Sequence, residues 1–343
     1  MNRSQLNQII QKEGLIPLGV VPLFYSESFE RFLRWRNEGK HAGLKYLEKY
    51  DELRKEPERL LPGAKCAIIV ALRYGQSESW PLRDEETPRV AQYAKFNDYH
   101  QLLKRMGERI VTRLKTESNF KTHSFRVLVD TAPVLERALA AQTRESFIGK
   151  NTCLIHPSEG SFLLLGEILT TFTFQTDQEE KKVECGTCSL CQVECPTGAL
   201  NEDYILDSNR CLAYWTIENR GPIPEEFWPH LSKYYFGCDI CQIVCPFNEE
   251  AKTHFVASKV VPREMPSLYE VATMNQQDYE RYFGGTPMTR AKRNGLRRNA
   301  LIAMCVTRHP KLNEALQYAK KDGGFPIEET SAQIKKYGEQ FFV

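Results

Sequence analysis

The chain of 343 residues has no apolar run approaching the roughly twenty residues that a membrane-spanning helix needs. Its opening, MNRSQLNQIIQKEGLIP, lacks an uninterrupted apolar core and a small-residue cleavage site, so no export signal is expected and a cytoplasmic location is. No segment is low in complexity, and no C-x3-C-x2-C occurs, which argues against a radical-SAM cluster. Neither sign of charge dominates, with 46 Lys and Arg against 44 Asp and Glu. Acid is missing locally, however. Between Met288 and Asn313 there are seven Lys or Arg and no Asp or Glu, a basic block that suggests an anionic partner.

What the chain does have is cysteine, eleven in all. In a reducing compartment clustered cysteines hold metal more often than they form disulfides. Cys185, Cys188, Cys191 and Cys195 are spaced C-x2-C-x2-C-x3-C and followed by Pro196. A second group, GCDICQIVCPFN, contributes Cys238, Cys241 and Cys245 before Pro246, with Cys211 upstream in DSNRCLAYW. In bacterial two-cluster ferredoxins the fourth cysteine of such a run ligates the other cluster, and proline helps the chain leave the first one. The spacing therefore predicts one [4Fe–4S] cluster on Cys185, Cys188, Cys191 and Cys245, and a second on Cys195, Cys211, Cys238 and Cys241. A pair of structural zinc sites is the competing reading, but three cysteines at x2-x2 spacing crowd a tetrahedral ion. Cys66, Cys153 and Cys305 stand in apolar surroundings and are expected in the core.

Around the cysteines the pattern is mixed. Helical periodicity runs to about residue 62, where Pro62-Gly63 interrupts it. CAIIVAL (66–72) and FRVLV (125–129) are expected as buried strands, with a helix over 97–114 between them. Asp130-Thr131 follows the second strand, and Pro133 suits the first turn of a helix running to about Arg144. Strands near 161–165 and 168–174 would complete an α/β domain. RAKRNGLRRNALIAMCV and KLNEALQYAKK are expected to pair as an α-hairpin. The predicted units are residues 1–178, an α/β domain; 179–250, ferredoxin-like with two clusters; and 251–343, helical and basic.

Several stretches together resemble the epoxyqueuosine reductase family: RKEPERLLPGAKCAIIVALRY (54–74), VDTAPVLERALAAQ (129–142), IGKNTCLIHPSEGSFLLLGEILT (148–170), CPTGAL (195–200), CLAYWTIENRGPIPEEFW (211–228), GCDICQIVCPFN (237–248) and TRAKRNGLRRNALIA (289–303). The resemblance covers nearly the whole chain. It implies a cobalamin-dependent enzyme whose first domain is akin to reductive dehalogenases, followed by a two-cluster ferredoxin-like domain and a C-terminal helical, HEAT-like segment. Its reaction would reduce epoxyqueuosine at the wobble position of tRNA to queuosine, with electrons passing through the two clusters from a donor such as a ferredoxin or flavodoxin. A small-molecule reductive dehalogenase and a ferredoxin-like electron carrier are the alternatives. The basic block and the expected absence of an export signal disfavour the first, and the size of the chain disfavours the second.

The resemblance makes Asp130 the expected general acid, since discarding an epoxide oxygen as water consumes two electrons and two protons. By position alone Asp130 is better explained as a helix N-cap. Cobalamin contacts are implied for Arg54, Asp130, Lys150, Asn151 and His156. Thr143-Arg144-Glu145-Ser146-Phe147 stand where the family has a glycine-rich stretch, so this loop carries more bulk. Asp98-Tyr99-His100 begins like the cobalt-ligating D-x-H-x-x-G motif, but position 103 is Leu. His100 is thus not expected on cobalt, in keeping with base-off cobalamin. Arg137 is an expected substrate contact if it shares a helix face with Asp130. Trp215, Thr216 and Glu218 are expected around a flipped base. Arg290, Lys292, Arg293, Arg297 and Arg298 are expected on tRNA phosphates.

Overall fold

A computed structural model describes residues 1–24, 26–74, 89–177, 183–232, 234–253 and 265–341. The predicted boundary between 178 and 179 lies outside the described residues. Among those described, no helix is long and apolar enough to cross a membrane.

The first half is built on one four-stranded sheet. Its strands are β1 (Ile16–Pro22), β2 (Cys66–Arg73), β3 (Phe125–Leu128) and β4 (Leu163–Thr170), in the order β1-β2-β4-β3 and antiparallel at every pairing. β2 lies centrally, and its first six residues are all buried, as a strand covered on both faces must be. β1 falls inside the stretch expected to be helical. Its IPLGVVP has no alternation, and it becomes a strand because β2 offers it an edge. The two strands expected near 161–165 and 168–174 are one, β4.

Helices pack on both faces of the sheet. α1 (Arg3–Lys12) starts with a capping box between Asn2 and Gln5 and buries Leu6 and Ile10, one turn apart. α2 (Ser26–Asn37) follows β1. α3 (Tyr99–Leu114) buries Leu103, Met106, Gly107, Ile110 and Leu114, the spacing of one helical face. Gly107 brings α3 close to β3: a Cβ there would lie 2.6 Å from Val127 Cγ1. α4 (Glu136–Ala140) is only five residues long. The helix expected from Pro133 to Arg144 is replaced at its start by an irregular turn, so Asp130 is not its N-cap.

The second half has a separate core. α5 (Leu268–Thr273), α6 (Lys292–Val306), α7 (Leu312–Lys321) and α8 (Ile327–Phe341) pack around α6. α6 and α7 do pair as expected. Leu212, Ile217, Ile223, Phe227, Trp228, Leu231, Tyr235 and Phe236 belong to the same core. A boundary at 250/251 therefore misses the architecture: the span 212–236 packs with the C-terminal helices, and one helix, Pro246–Thr253, runs through the cut.

Candidate active site and metal centres

The eight motif cysteines separate into two sets. Cys185, Cys188, Cys191 and Cys245 line one cavity of about 180 Å³. Cys195 does not. Burial pushes the Cys238 thiol up to about 12, and the neighbouring Cys211 and Cys195 push the same way. Cys241 in turn feels Cys238 and Cys211. The short helix Leu190–Val193 packs against Ile240–Ile243, so the two motifs stand back to back. The backbone N–H of Lys150 points to Cys185 Sγ at 3.4 Å, and that of Ala199 to Cys195 Sγ at 3.3 Å, as outer partners of ligating sulfur do. Among the described residues no three His, Cys, Asp or Glu side chains converge as a single ion requires. Thiols spread over a cavity wall instead suit the corners of an iron–sulfur cube, so the residues present fit two clusters.

The loop 149–153 lies against these cysteines. Buried Asn151 donates to the Cys241 carbonyl at 3.2 Å and accepts from Cys153 N–H at 3.1 Å. Lys150 pairs with Asp203 at 3.2 Å. Both therefore face the cluster domain. Cys153 is not a core residue either; its thiol hydrogen-bonds that of Cys241. Arg54 is buried, and its guanidinium holds the backbone carbonyls of Tyr46, Leu47 and Lys49. His156 pairs with Glu145 at 3.1 Å. Burial lowers its pKa, against the pull of that carboxylate.

Asp130 lies two residues beyond β3 with φ +47°, left-handed backbone that an L residue adopts rarely. Its Oδ2 lies 2.8 Å from His100 Nε2, and His100 Nδ1 lies 2.6 Å from Asp98 Oδ1. The imidazole stacks on Tyr99 with centroids 4.2 Å apart. Hydrogen bonding to Asp130 is the largest cause of a His100 pKa pushed up to about 9. Beside them Glu136 is raised to about 7 by burial and then by the Asp130 charge, and its carboxyl accepts from the Asp130 backbone. Glu167, on β4, has no solvent exposure and neither carboxyl oxygen has a partner. Burial holds its pKa well above the usual carboxylate range. Sequence reasoning missed His100, Glu136 and Glu167 as members of this group; the motif Asp98-Tyr99-His100 was the one available signal.

Within electrostatic reach of Asp130 stands Arg290, paired to Glu218 at 2.9 Å and 5.4 Å from the Tyr46 ring centre. Desolvation raises the Tyr46 phenol, and the charges of Glu218, Arg290, Asp130 and Arg137 all act on it. Four of the expected residues thus meet here. Glu218 reaches this group from a π-turn over Tyr214–Glu218, an irregularity frequent at functional sites. Arg137 shares no helix face with Asp130, since α4 starts too late; it donates to the Thr152 carbonyl at 2.6 Å.

The other expected RNA contacts divide. Lys292 is exposed and Arg293 pairs with Asp322 at 2.5 Å. Arg297 and Arg298 have no exposure at all and do not reach RNA. Arg297 donates to the carbonyls of Ala272 and Asp322. Arg298 holds those of Trp215, Asn219 and Gly221. Thr216 is buried, donating to Leu212 O and accepting from Gly237 N–H. The Trp215 ring stacks on Phe227 at 5.4 Å. Thr216 is bonded within the second core, whereas Trp215 is only partly buried against it.

Residues 184–248 match the family described as a 4Fe-4S double cluster binding domain, and 54–131 match epoxyqueuosine reductase QueG. An epoxyqueuosine reductase of Pseudomonas aeruginosa is 32% identical over 92% of this chain and 88% of its own. The chain belongs to the epoxyqueuosine reductase family. The family's structures agree: that from Streptococcus thermophilus superposes with a TM-score of 0.84 at 26% identity, over 97% of this chain and 90% of that one. Another family structure, solved with an epoxyqueuosine-modified tRNA-Tyr stem loop, has a TM-score of 0.79 at 25% identity, over 97% and 88%. The double-cluster domain of this epoxyqueuosine reductase family member is the one that carries the two thiol sets.

Proposed function

We infer that this chain reduces epoxyqueuosine in tRNA to queuosine, the last step in making that nucleoside. The observation that carries the reading is that Asp130, gripped by His100, stands within electrostatic reach of the Glu218–Arg290 pair, in a chain of this family with two four-thiol sets. Removing the epoxide oxygen as water takes two protons. Asp130 Oδ2 is engaged by His100, so Oδ1 is the atom left to pass a proton to the departing oxygen. Exposed Lys292 and Arg290 meet the anticodon stem-loop phosphates. Glu218, oriented by Arg290, is the acceptor for polar groups of the modified base.

Cobalamin is the cofactor of this reading, and bound there it supplies the reducing centre. Its amide-rich rim needs hydrogen-bonding partners, and three of the buried groups without one are close together in the chain or the sheet: Gln142 Nε2, Ser146 Oγ and the Glu167 carboxyl. They lie on the segment after α4 and on β4, which packs against α4. These residues, with Asp130 and His156, would hold it. The iron–sulfur clusters supply single electrons, drawn from a ferredoxin or flavodoxin. On this reading the antiparallel-sheet domain is a cobalamin-binding unit of reductive-dehalogenase type, and the helix pairs over 292–341 are HEAT-like. The tRNA substrate puts the reaction in the cytoplasm.

The test is anaerobic reconstitution with iron, sulfide and cobalamin, followed by chromatography of nucleosides from treated tRNA. Conversion of epoxyqueuosine to queuosine is expected. Loaded protein that leaves epoxyqueuosine intact under a strong reductant would overturn the assignment.

A further inference from the structure

We propose that His100 is the positioning residue for Asp130, a clamp that holds the turn Val129–Leu135 with its carboxylate in place. The inference rests on the reading of Asp130 above, but the clamp itself is a matter of geometry. Besides His100, the turn is held by Ala132, Val134 and Leu135, which pack against the core under the sheet, and by the Glu136 carboxyl, which accepts from the Asp130 backbone. Its own bonds are local, Thr131 N–H to Val129 O at 2.5 Å and Val134 N–H to Ala132 O at 2.8 Å. Asp130 at φ +47° is in a conformation that persists only where the surroundings impose it. The contact that fixes the Asp130 side chain from outside the turn is His100 Nε2, since Glu136 takes only the backbone.

His100 is itself well anchored. Asp98 caps α3, accepting from His100 N–H at 3.0 Å, and the same Oδ1 takes His100 Nδ1 at 2.6 Å. Asp98 N–H donates to Gly285 O at 2.8 Å, so the clamp is referred to the second core as well as to α3. The groups facing the imidazole are Asp98 and Tyr99 from α3, and Asp130 and Glu136 from the turn and α4. An imidazolium donates to both carboxylates at once; a neutral imidazole donates to one only. Loss of its proton therefore frees either the anchor or the turn. With His100 raised to about 9, the clamp is closed at neutral pH and opens in alkali.

Hydrogen exchange of peptides covering 129–135 in the protein, with turnover on epoxyqueuosine tRNA, tests this in His100→Phe, His100→Gln and Asp98→Asn. Phe keeps the stacking on Tyr99 but cannot bond Asp130; exchange should quicken about tenfold and kcat fall about tenfold, with KM within about twofold. Gln, which can donate to Asp130, should restore part of both and abolish the alkaline limb of the wild-type pH profile. Asp98→Asn should move the same peptides less. Unchanged exchange in 129–135 for both His100 variants overturns the proposal. If His100→Phe does not fold, His100→Gln decides alone: an alkaline limb kept at its wild-type position overturns the clamp. Faster exchange with unchanged turnover would uphold the clamp and overturn the role of Asp130.

Discussion

Arg298 donates to the carbonyl of Trp215 over 2.9 Å from a site without solvent exposure. The same guanidinium bonds Asn219 O, Gly221 O and Asn299 Oδ1. It ties the π-turn that carries Glu218 to α6, and Asn299 completes the tie through Thr216 O and Tyr235 O. Arg298→Ala leaves those carbonyls buried and unpaired and should cost about 3–5 kcal/mol in urea unfolding. Arg298→Lys should recover little, because a single ammonium cannot serve carbonyls that a planar fork reaches together.

RNA affinity should depend on residues that reach solvent. Lys292→Ala leaves one phosphate without its cation and should shallow the slope of log K against log salt by about 0.7–0.9. Anisotropy of a labelled anticodon stem-loop across a salt series measures it. A slope unchanged in both Lys292→Ala and Arg290→Ala would remove this surface from the interface.

Exchange of one cysteine between the motifs can be counted in iron. Cys185→Ala with Cys245→Ala removes two ligands of one cluster, so reconstituted protein should retain about four of about eight irons. Cys185→Ala with Cys195→Ala damages both clusters and should retain fewer. Equal iron in the two double variants would contradict the partition seen around the 180 Å³ cavity.

Glu167 makes stability depend on pH in a stated direction. Its folded-state pKa is raised, so the folded chain keeps a proton that the unfolded chain sheds. Stability should fall as pH rises above the ordinary carboxylate value, by up to about 1.4 kcal/mol per pH unit. Glu167→Gln has no proton to lose. Its advantage over the parent in denaturant unfolding should grow between about pH 5 and pH 7; a constant difference would mean that the carboxyl is ionised in the fold.

Asp130→Asn keeps the shape and the contact with His100 but cannot deliver a proton. Turnover should drop about 100-fold or more, while iron content and bound cobalamin stay at the parent level. Nucleoside chromatography against metal analysis separates the two readouts.

Much of the metal chemistry was legible in the sequence because ligand spacing is a local, covalent property. C-x2-C-x2-C-x3-C-P implied that Cys195 and Cys245 change places, and Cys245 lines a cavity with Cys185, Cys188 and Cys191. The strands 66–73 and 125–128 and the helix 99–114 were legible for a similar reason, since burial on one or both faces imprints itself on neighbouring residues. Asp130 was singled out, though as a helix cap on position alone, because a short helix and a long one begin with the same few residues.

What the sequence by itself determined was that a double-cluster domain is present and which segments must be buried. Only the tertiary structure decided which charges face water. Arg297 and Arg298 looked like a basic surface because a sequence displays the cation and hides its acceptors, here carbonyls of residues 215–221, 272 and 322 brought in by other segments. In the same way β1 became a strand because β2 lay open beside it, and His100 met Asp130 because α3 packs against β3. Each of these joins distant parts of the chain, and such contacts exist only once the chain has closed on itself.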